Sequence, residues 1–179
     1  KHHKILIYQI FTRLFGNRSY NCVENGTLAE NGCGKMSFLT IGIKTYKKLG
    51  VTHVWYTGVI RHASKTDYSA FGIPCQHPAV VKGRAGSPYA IVDYYDIDPD
   101  LADDVDRRME EFEFAAASHK AGLKVIIDFV PNHVARQYKS VKKPDGVKDF
   151  GETDDVNKGF YPDNNFYYCP NECFAPYLI

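Results

Sequence analysis

Two junctions constrain this chain more than any other feature: Lys48-Leu49-Gly50-Val51 and Lys120-Ala121-Gly122-Leu123. Each leads from a helix-like pattern through a glycine directly into an apolar stretch. Glycine takes the left-handed backbone that ends a helix, so a strand can begin one or two residues later. A third apolar run, Ile5 to Phe11, precedes both junctions. The order is therefore strand, helix, strand, helix, strand, which calls for parallel strands joined by right-handed crossovers. Helix-to-strand turns are short, whereas the long polar connections all follow strands, so the loops that vary collect at the strand C-termini. The expected fold class is α/β, the N-terminal part of a (β/α)8 TIM barrel with about three βα units. An open doubly wound sheet is the alternative, but Thr12-Arg13-Leu14-Phe15 stands where its Gly-rich phosphate loop would follow the first strand.

The elements follow from local pattern. Ile5 to Phe11 is dense in apolar and aromatic residues and too short for a helix, as in a strand buried on both faces. Thr12 to Lys35 carries Asn25-Gly26 and Asn31-Gly32 turn signals and reads as a long loop. Leu39, Ile43, Tyr46 and Leu49 recur at helical spacing, with Ser37 as a cap and Gly50 as the stop. Val51 to Val59 is a second strand, and Arg61 to Ala102 a second long loop. Asp103, Asp104 and Asp106 open the next helix, whose stripe is Met109, Phe112, Ala116 and His119. Leu123 to Val130 is the third strand, and beyond Asn132-His133 periodicity is lost.

Composition removes several function classes. Lys plus Arg number 22 against 21 Asp plus Glu, so no global field draws the chain to nucleic acid. The best apolar run, Val125-Ile126-Ile127, stops at Asp128, well short of the roughly 18 residues that span a membrane. Neither nucleic acid nor membrane insertion is expected. Cys22, Cys33, Cys75, Cys169 and Cys173 lack metal spacing, and Cys22 with Cys33 could staple one loop.

The third strand ends in Asp128-Phe129-Val130-Pro131-Asn132-His133, which gathers a carboxylate, an amide and an imidazole at the mouth of the barrel. Four segments in order then resemble the alpha-amylase superfamily, glycoside hydrolase family 13. Ile7-Tyr8-Gln9-Ile10-Phe11-Thr12-Arg13 is similar to its opening strand, and Leu49-Gly50-Val51-Thr52-His53-Val54-Trp55 to its second. Gly86-Ser87-Pro88-Tyr89-Ala90-Ile91-Val92-Asp93-Tyr94-Tyr95 resembles the loop bearing its stacking tyrosine, and Gly122 to His133 its first conserved region.

The resemblance implies roles. Tyr89 would be the platform beneath the sugar being cleaved, and His133 would hydrogen-bond that sugar's hydroxymethyl oxygen. Asp128 would hold a strand-four arginine, because a buried carboxylate needs a cationic partner. Asn132 would be a calcium ligand or support the next loop. The family's catalytic carboxylates come from later strands, so no residue here is assigned a catalytic role. The acids Asp145, Asp149, Glu152, Asp154 and Asp155 read as loop surface. A full barrel takes about 250 residues, so the chain is expected to be a fragment. Residues 1–134 would form its first three units and residues 135–179 the start of an irregular inserted domain.

Two departures bear on function. Relatives with calcium in the first loop carry an Asp shortly after a Gly-x-Gly pair, where this chain has Lys35, which argues against calcium there. Exo-acting relatives place an acid three residues before the stacking tyrosine, where this chain has Gly86, which favours an open cleft. The implied activity is retaining hydrolysis of α-1,4-glucans such as starch, glycogen and maltooligosaccharides. A transglycosidase, or a catalytically empty binding subunit, is the alternative. A polymeric substrate implies a secreted, periplasmic or cell-surface protein. No organic cofactor is expected, and any calcium would be structural.

Overall fold

The computed structural model describes residues 4–118 and 122–172. Among the described residues, five strands and four α-helices follow in the order β1 (Ile7–Phe11), α1 (Leu28–Asn31), α2 (Met36–Ile41), α3 (Ile43–Lys48), β2 (His53–Thr57), β3 (Ile60–His62), β4 (Ile91–Ile97), α4 (Arg108–Ser118) and β5 (Lys124–Ile127). β1, β2 and β5 form one parallel sheet in that spatial order, with Ile7 opposite His53 and His53 opposite Lys124. This is the arrangement of consecutive barrel strands, and the fold is the N-terminal part of a (β/α)8 barrel.

The core lies between this sheet and its helices. Ile10, Val54 and Tyr56 from the sheet pack with Met36 and Leu39 of α2 and Ala115 of α4. Gly50 (φ 76°) and Gly122 (φ 115°) supply the left-handed residues expected before β2 and β5. His119, Lys120 and Ala121, to which the helical stripe and the second junction were assigned, lie outside the described residues, as does Cys173.

Several local expectations need correction. The helix expected from Ser37 to Leu49 is divided at Gly42, against whose Cα the Tyr46 ring packs too closely for any side chain. Ser37 is inside α2, whose cap position is Lys35, and Leu49 is exposed. In β1 only Ile10 is buried, because β1 is an edge strand among the described residues. The first long loop contains α1, capped by Thr27 and Glu30 in a reciprocal capping box. The second long loop contains an antiparallel ribbon, β3 with β4, whose register shifts around Arg61. β5 ends at Ile127, so Asp128 to Val130 leave the sheet. Cys22 and Cys33 are free thiols, and burial pushes the Cys33 thiol up to about 11.

Candidate functional site

The C-terminal ends of β2 and β5 meet at Asp128. Trp55 donates its indole N–H to Asp128 Oδ1 at 2.5 Å, while the buried Asp128 Oδ2 has no hydrogen-bond partner among the described residues. A buried carboxylate oxygen left in this way costs stability unless a donor reaches it. Asp128 shares a small niche with Gly58, Ile60 and Pro88, so the strand ends touch the loop that carries Tyr89.

That loop is rigidly held. Gly86 has φ 74°, and a Cβ there would overlap the carbonyl oxygen of Ala63. No acid can therefore occupy position 86 without moving the backbone. Ser87 to Ala90 forms a turn, with the Ala90 N–H donating to the Ser87 carbonyl at 3.0 Å and the Tyr89 N–H to Ser87 Oγ at 3.3 Å. The turn leaves Tyr89 45% exposed.

His133 belongs to the segment after β5. The Ala135 N–H donates to the Ile91 carbonyl at 2.7 Å, and the Lys139 N–H to that of Val92 at 3.0 Å. Tyr89 and His133 each lie two residues from the Ile91–Ala135 bond, so one backbone contact ties together the loops of both candidate residues. His133 and Asn132 are exposed and line a cleft of about 420 Å³ with Tyr94, Tyr95, Phe129 and Phe150. The Tyr94 hydroxyl donates to the Val130 and His133 carbonyls, and its ring contacts Phe129, Tyr138 and Phe150 at 5.8 to 6.0 Å. Burial pushes the Tyr94 phenol up and that of Tyr138 up to about 12, and the Tyr138 hydroxyl accepts from the Tyr94 N–H at 3.5 Å. Tyr89 and Asp128 do not line this cleft.

The lining of the cleft beside Asn132 includes Asn165 but no carboxylate. Among the described residues no three His, Cys, Asp or Glu side chains converge to hold a metal ion. The residues here do not by themselves fit calcium, which prefers charged oxygen ligands. In the first loop, Lys35 Nζ donates to the carbonyls of Asp100 (2.7 Å) and Ala102 (2.9 Å), so an ammonium engages these oxygens.

Sequence reasoning missed the charge network that sets β4 in place. Asp93 accepts from Ser140 Oγ (2.7 Å), the Val141 N–H (2.7 Å) and Arg61 (3.3 Å). Asp96 accepts two bonds from Arg108, at 2.7 and 3.0 Å, and Arg61 Nε lies 3.1 Å away in an off-axis ion pair. Asp98 pairs with His62 at 3.0 Å, and Asp100 takes Arg13 at 2.5 Å and the Tyr68 hydroxyl at 2.6 Å. All four carboxylates are at most 1% exposed. Burial pushes the Asp98 carboxyl up, partly offset by His62 and Arg13. Burial also works against the charge of Arg13, yet Asp98 and Asp100 hold it more firmly protonated than usual. The available signal was the alternation of acids with Ile97, Pro99 and Leu101 in a stretch read as loop.

A family model described as the alpha amylase catalytic domain matches residues 9–169. Maltase A2 of Drosophila melanogaster is 28% identical over 154 residues, covering 83% of this chain and 21% of the relative. An alpha-glucosidase of Culex pipiens is 26% identical over 165 residues, covering 89% and 22%. The chain thus spans about a fifth of the length of the curated relatives it matches. Among solved structures, an alpha-amylase from Geobacillus thermoleovorans complexed with acarbose superposes with a TM-score of 0.51 at 24% identity, over 75% of this chain and 24% of that one. That likeness is one of fold. No helix among the described residues is long and apolar enough to cross a membrane.

Proposed function

This chain belongs to the alpha-amylase catalytic-domain family, and from that premise we propose that the whole protein is a retaining glycoside hydrolase of α-1,4-glucans. The observation that carries the reading is the pairing of an exposed tyrosine platform with an exposed imidazole, joined by the Ile91–Ala135 hydrogen bond beside the half-satisfied Asp128. A flat phenol face matches the C–H face of a pyranose, and the His133 imidazole donates to its hydroxymethyl oxygen. Asp128 positions a cationic side chain, an arginine, through its free Oδ2.

Double displacement needs two carboxyl groups about 5 to 5.5 Å apart, one attacking the anomeric carbon and the other protonating the leaving oxygen and then activating water. The proposal assigns both to sequence beyond this chain. Tyr89 and His133 hold the ring while it flattens, so their contacts strengthen in the transition state. A structural calcium at Asn132 would draw its carboxylates from outside the described residues. Loss of a calcium-dependent rise in melting temperature in full-length Asn132→Ala tests that site. A polymeric substrate favours a secreted, periplasmic or cell-surface protein.

The relatives named maltase and alpha-glucosidase favour a second reading, release of single glucose units. Gly86 favours internal cleavage, because its tight fit against Ala63 leaves no place for a blocking acid. Digestion of maltooligosaccharides by the full-length protein, followed by NMR of the first products, tests the proposal. Mixed oligosaccharides in the α-anomeric form are expected. Glucose alone would select the second reading, transfer products alone would make the protein a transglycosidase, and no turnover would make it a binding subunit.

A further inference from the structure

The bend between β5 and His133 has no closure of its own. Pro131 brings no N–H into it, and among the described residues no backbone hydrogen bond closes the stretch from Val130 to His133. The side chains it carries are therefore set by other contacts. One side chain does what the backbone omits: the Tyr94 hydroxyl donates to the carbonyls of Val130 and, at 3.3 Å, of His133. A single phenolic proton draws the first and last residues of the bend to one point.

Tyr94 is itself fixed from several sides. It belongs to β4, where its neighbour Asp93 is tied to Ser140 and to the Val141 N–H, both at 2.7 Å. The Tyr94 N–H reaches the Tyr138 hydroxyl at 3.5 Å, and its ring meets those of Phe129, Tyr138 and Phe150 with centroids 5.8 to 6.0 Å apart. Tyr138 and Phe150 also pack on one another at 5.2 Å. Three rings around a fourth leave it little rotamer freedom, so the hydroxyl is held in one place. Burial raises the phenol's pKa, which keeps the proton on the donor. Two residues past His133, the Ala135 N–H donates to the Ile91 carbonyl of the same strand at 2.7 Å. His133 thus hangs between two anchors, both on β4, the strand that the Tyr89 turn leads into.

We propose that Tyr94 is a positioning residue for the sugar site: by closing the bend on Val130 and His133, its hydroxyl holds the His133 imidazole where the ring stacked on Tyr89 needs it. This rests on the reading of Tyr89 and His133 as a grip on one sugar. Tyr94 lines the same cleft, but its one proton is engaged by two carbonyls, so its contribution runs through His133 and not through a donor bond of its own to sugar. A hydrogen-bonding group serves a reaction only when it is held in place beforehand, and a displacement of about 1 Å can cost 10²-fold in rate. The effect falls on the chemical step, because the His133 contact tightens as the ring flattens.

The test is a double-mutant cycle on the full-length protein with maltopentaose as substrate, using Tyr94→Phe, which keeps the ring and removes the hydroxyl, His133→Ala, and the two together. Tyr94→Phe alone should lower kcat by about three- to thirtyfold, the scale of one or two neutral hydrogen bonds, with KM changed less than about twofold. In the His133→Ala background the same substitution should cost less than about twofold. Equal losses in both backgrounds would overturn the proposal and make Tyr94 a scaffold or a sugar contact in its own right. Two further readouts separate position from folding. The 13C resonance of the His133 ring, assigned by its loss in His133→Ala, should shift or broaden in Tyr94→Phe, and an unmoved resonance would overturn the proposal. 4-Aminophenylalanine placed at position 94, which restores a donor, should recover most of kcat, and no recovery would count against the hydroxyl. Unchanged kcat in Tyr94→Phe beside a slow His133→Ala removes the positioning role alone, whereas a fully active His133→Ala, or a wild type that turns over no α-glucan, removes the functional reading with it.

Discussion

The ribbon β3–β4 and the loop from Asp154 to Tyr168 both depend on aspartates, but in opposite ways. Along the ribbon and just after it, Asp93, Asp96, Asp98 and Asp100 are buried and draw partners from distant parts of the chain: Arg13 after β1, Arg61 in β3, Arg108 in α4 and Ser140 after β5. In the loop, the Asp154 carboxylate binds the Asn165 and Phe166 N–H groups and the Tyr168 hydroxyl, and that of Asp155 the Asn157 N–H and Lys158, none more than fourteen residues away. A buried charge network links elements that the sheet does not join, so its failure is global. A surface clamp shapes one loop, so its failure is local. The segment that carries His133 hangs on the first kind of device, through Asp93 and Ser140.

The largest expected effect comes from breaking the ribbon. Asp96→Asn leaves Arg61 and Arg108 buried without their shared carboxylate, which should cost roughly 3 to 5 kcal/mol in urea unfolding. A loss no greater than that of a surface substitution would break the contrast. Next comes Gly86→Ala, which forces a side chain into left-handed backbone and onto the Ala63 carbonyl. About 1 to 3 kcal/mol is expected, with displacement of Tyr89 seen as lower turnover in the full-length protein. Asp154→Ala should leave the global unfolding midpoint in place and quicken hydrogen exchange at the Asn165 and Phe166 amides. A shifted midpoint would show that the loop clamp also supports the core.

The smallest effect is acid sensitivity. Burial raises the Asp149 carboxyl, but Lys139, the Ser140 N–H and Lys143 outweigh it and hold the pKa below the ordinary value. A depressed carboxylate contributes stability that is complete above its unfolded pKa of about 4 and is lost as pH falls through the folded value. Protection of the Ser140 amide should accordingly hold from pH 7 to 5 and decline below about 4. Decline that begins near pH 6 would point to a histidine instead.

Legibility in the sequence tracked the range of the interactions. The parallel strands were readable because Gly50 and Gly122 each stand directly before a run rich in β-branched and aromatic residues. The ribbon was not, since Arg61 and Asp93 look like loop residues until they are set opposite one another across thirty-two positions. Gly42 divides a helix whose stripe reads as continuous, and the Tyr46 ring packs against it. At the candidate site, Asp128, Asn132 and His133 were legible as residue types at a strand end. The Trp55 bond and the aromatic wall of Tyr94, Phe129 and Phe150 were not, because each joins residues far apart in the chain.

The central claim is that Tyr89 and His133 grip one sugar ring as it reacts. Steady-state kinetics of full-length His133→Ala on a maltooligosaccharide tests it most directly, with Tyr89→Ala and Tyr89→Phe beside it. Loss of one transition-state contact should lower kcat by about 10- to 1,000-fold, while KM moves little. Tyr89→Ala should behave similarly, and Tyr89→Phe should keep much of the activity because the ring face does the stacking. Full activity of His133→Ala, or a rise in KM with kcat unchanged, would contradict the account.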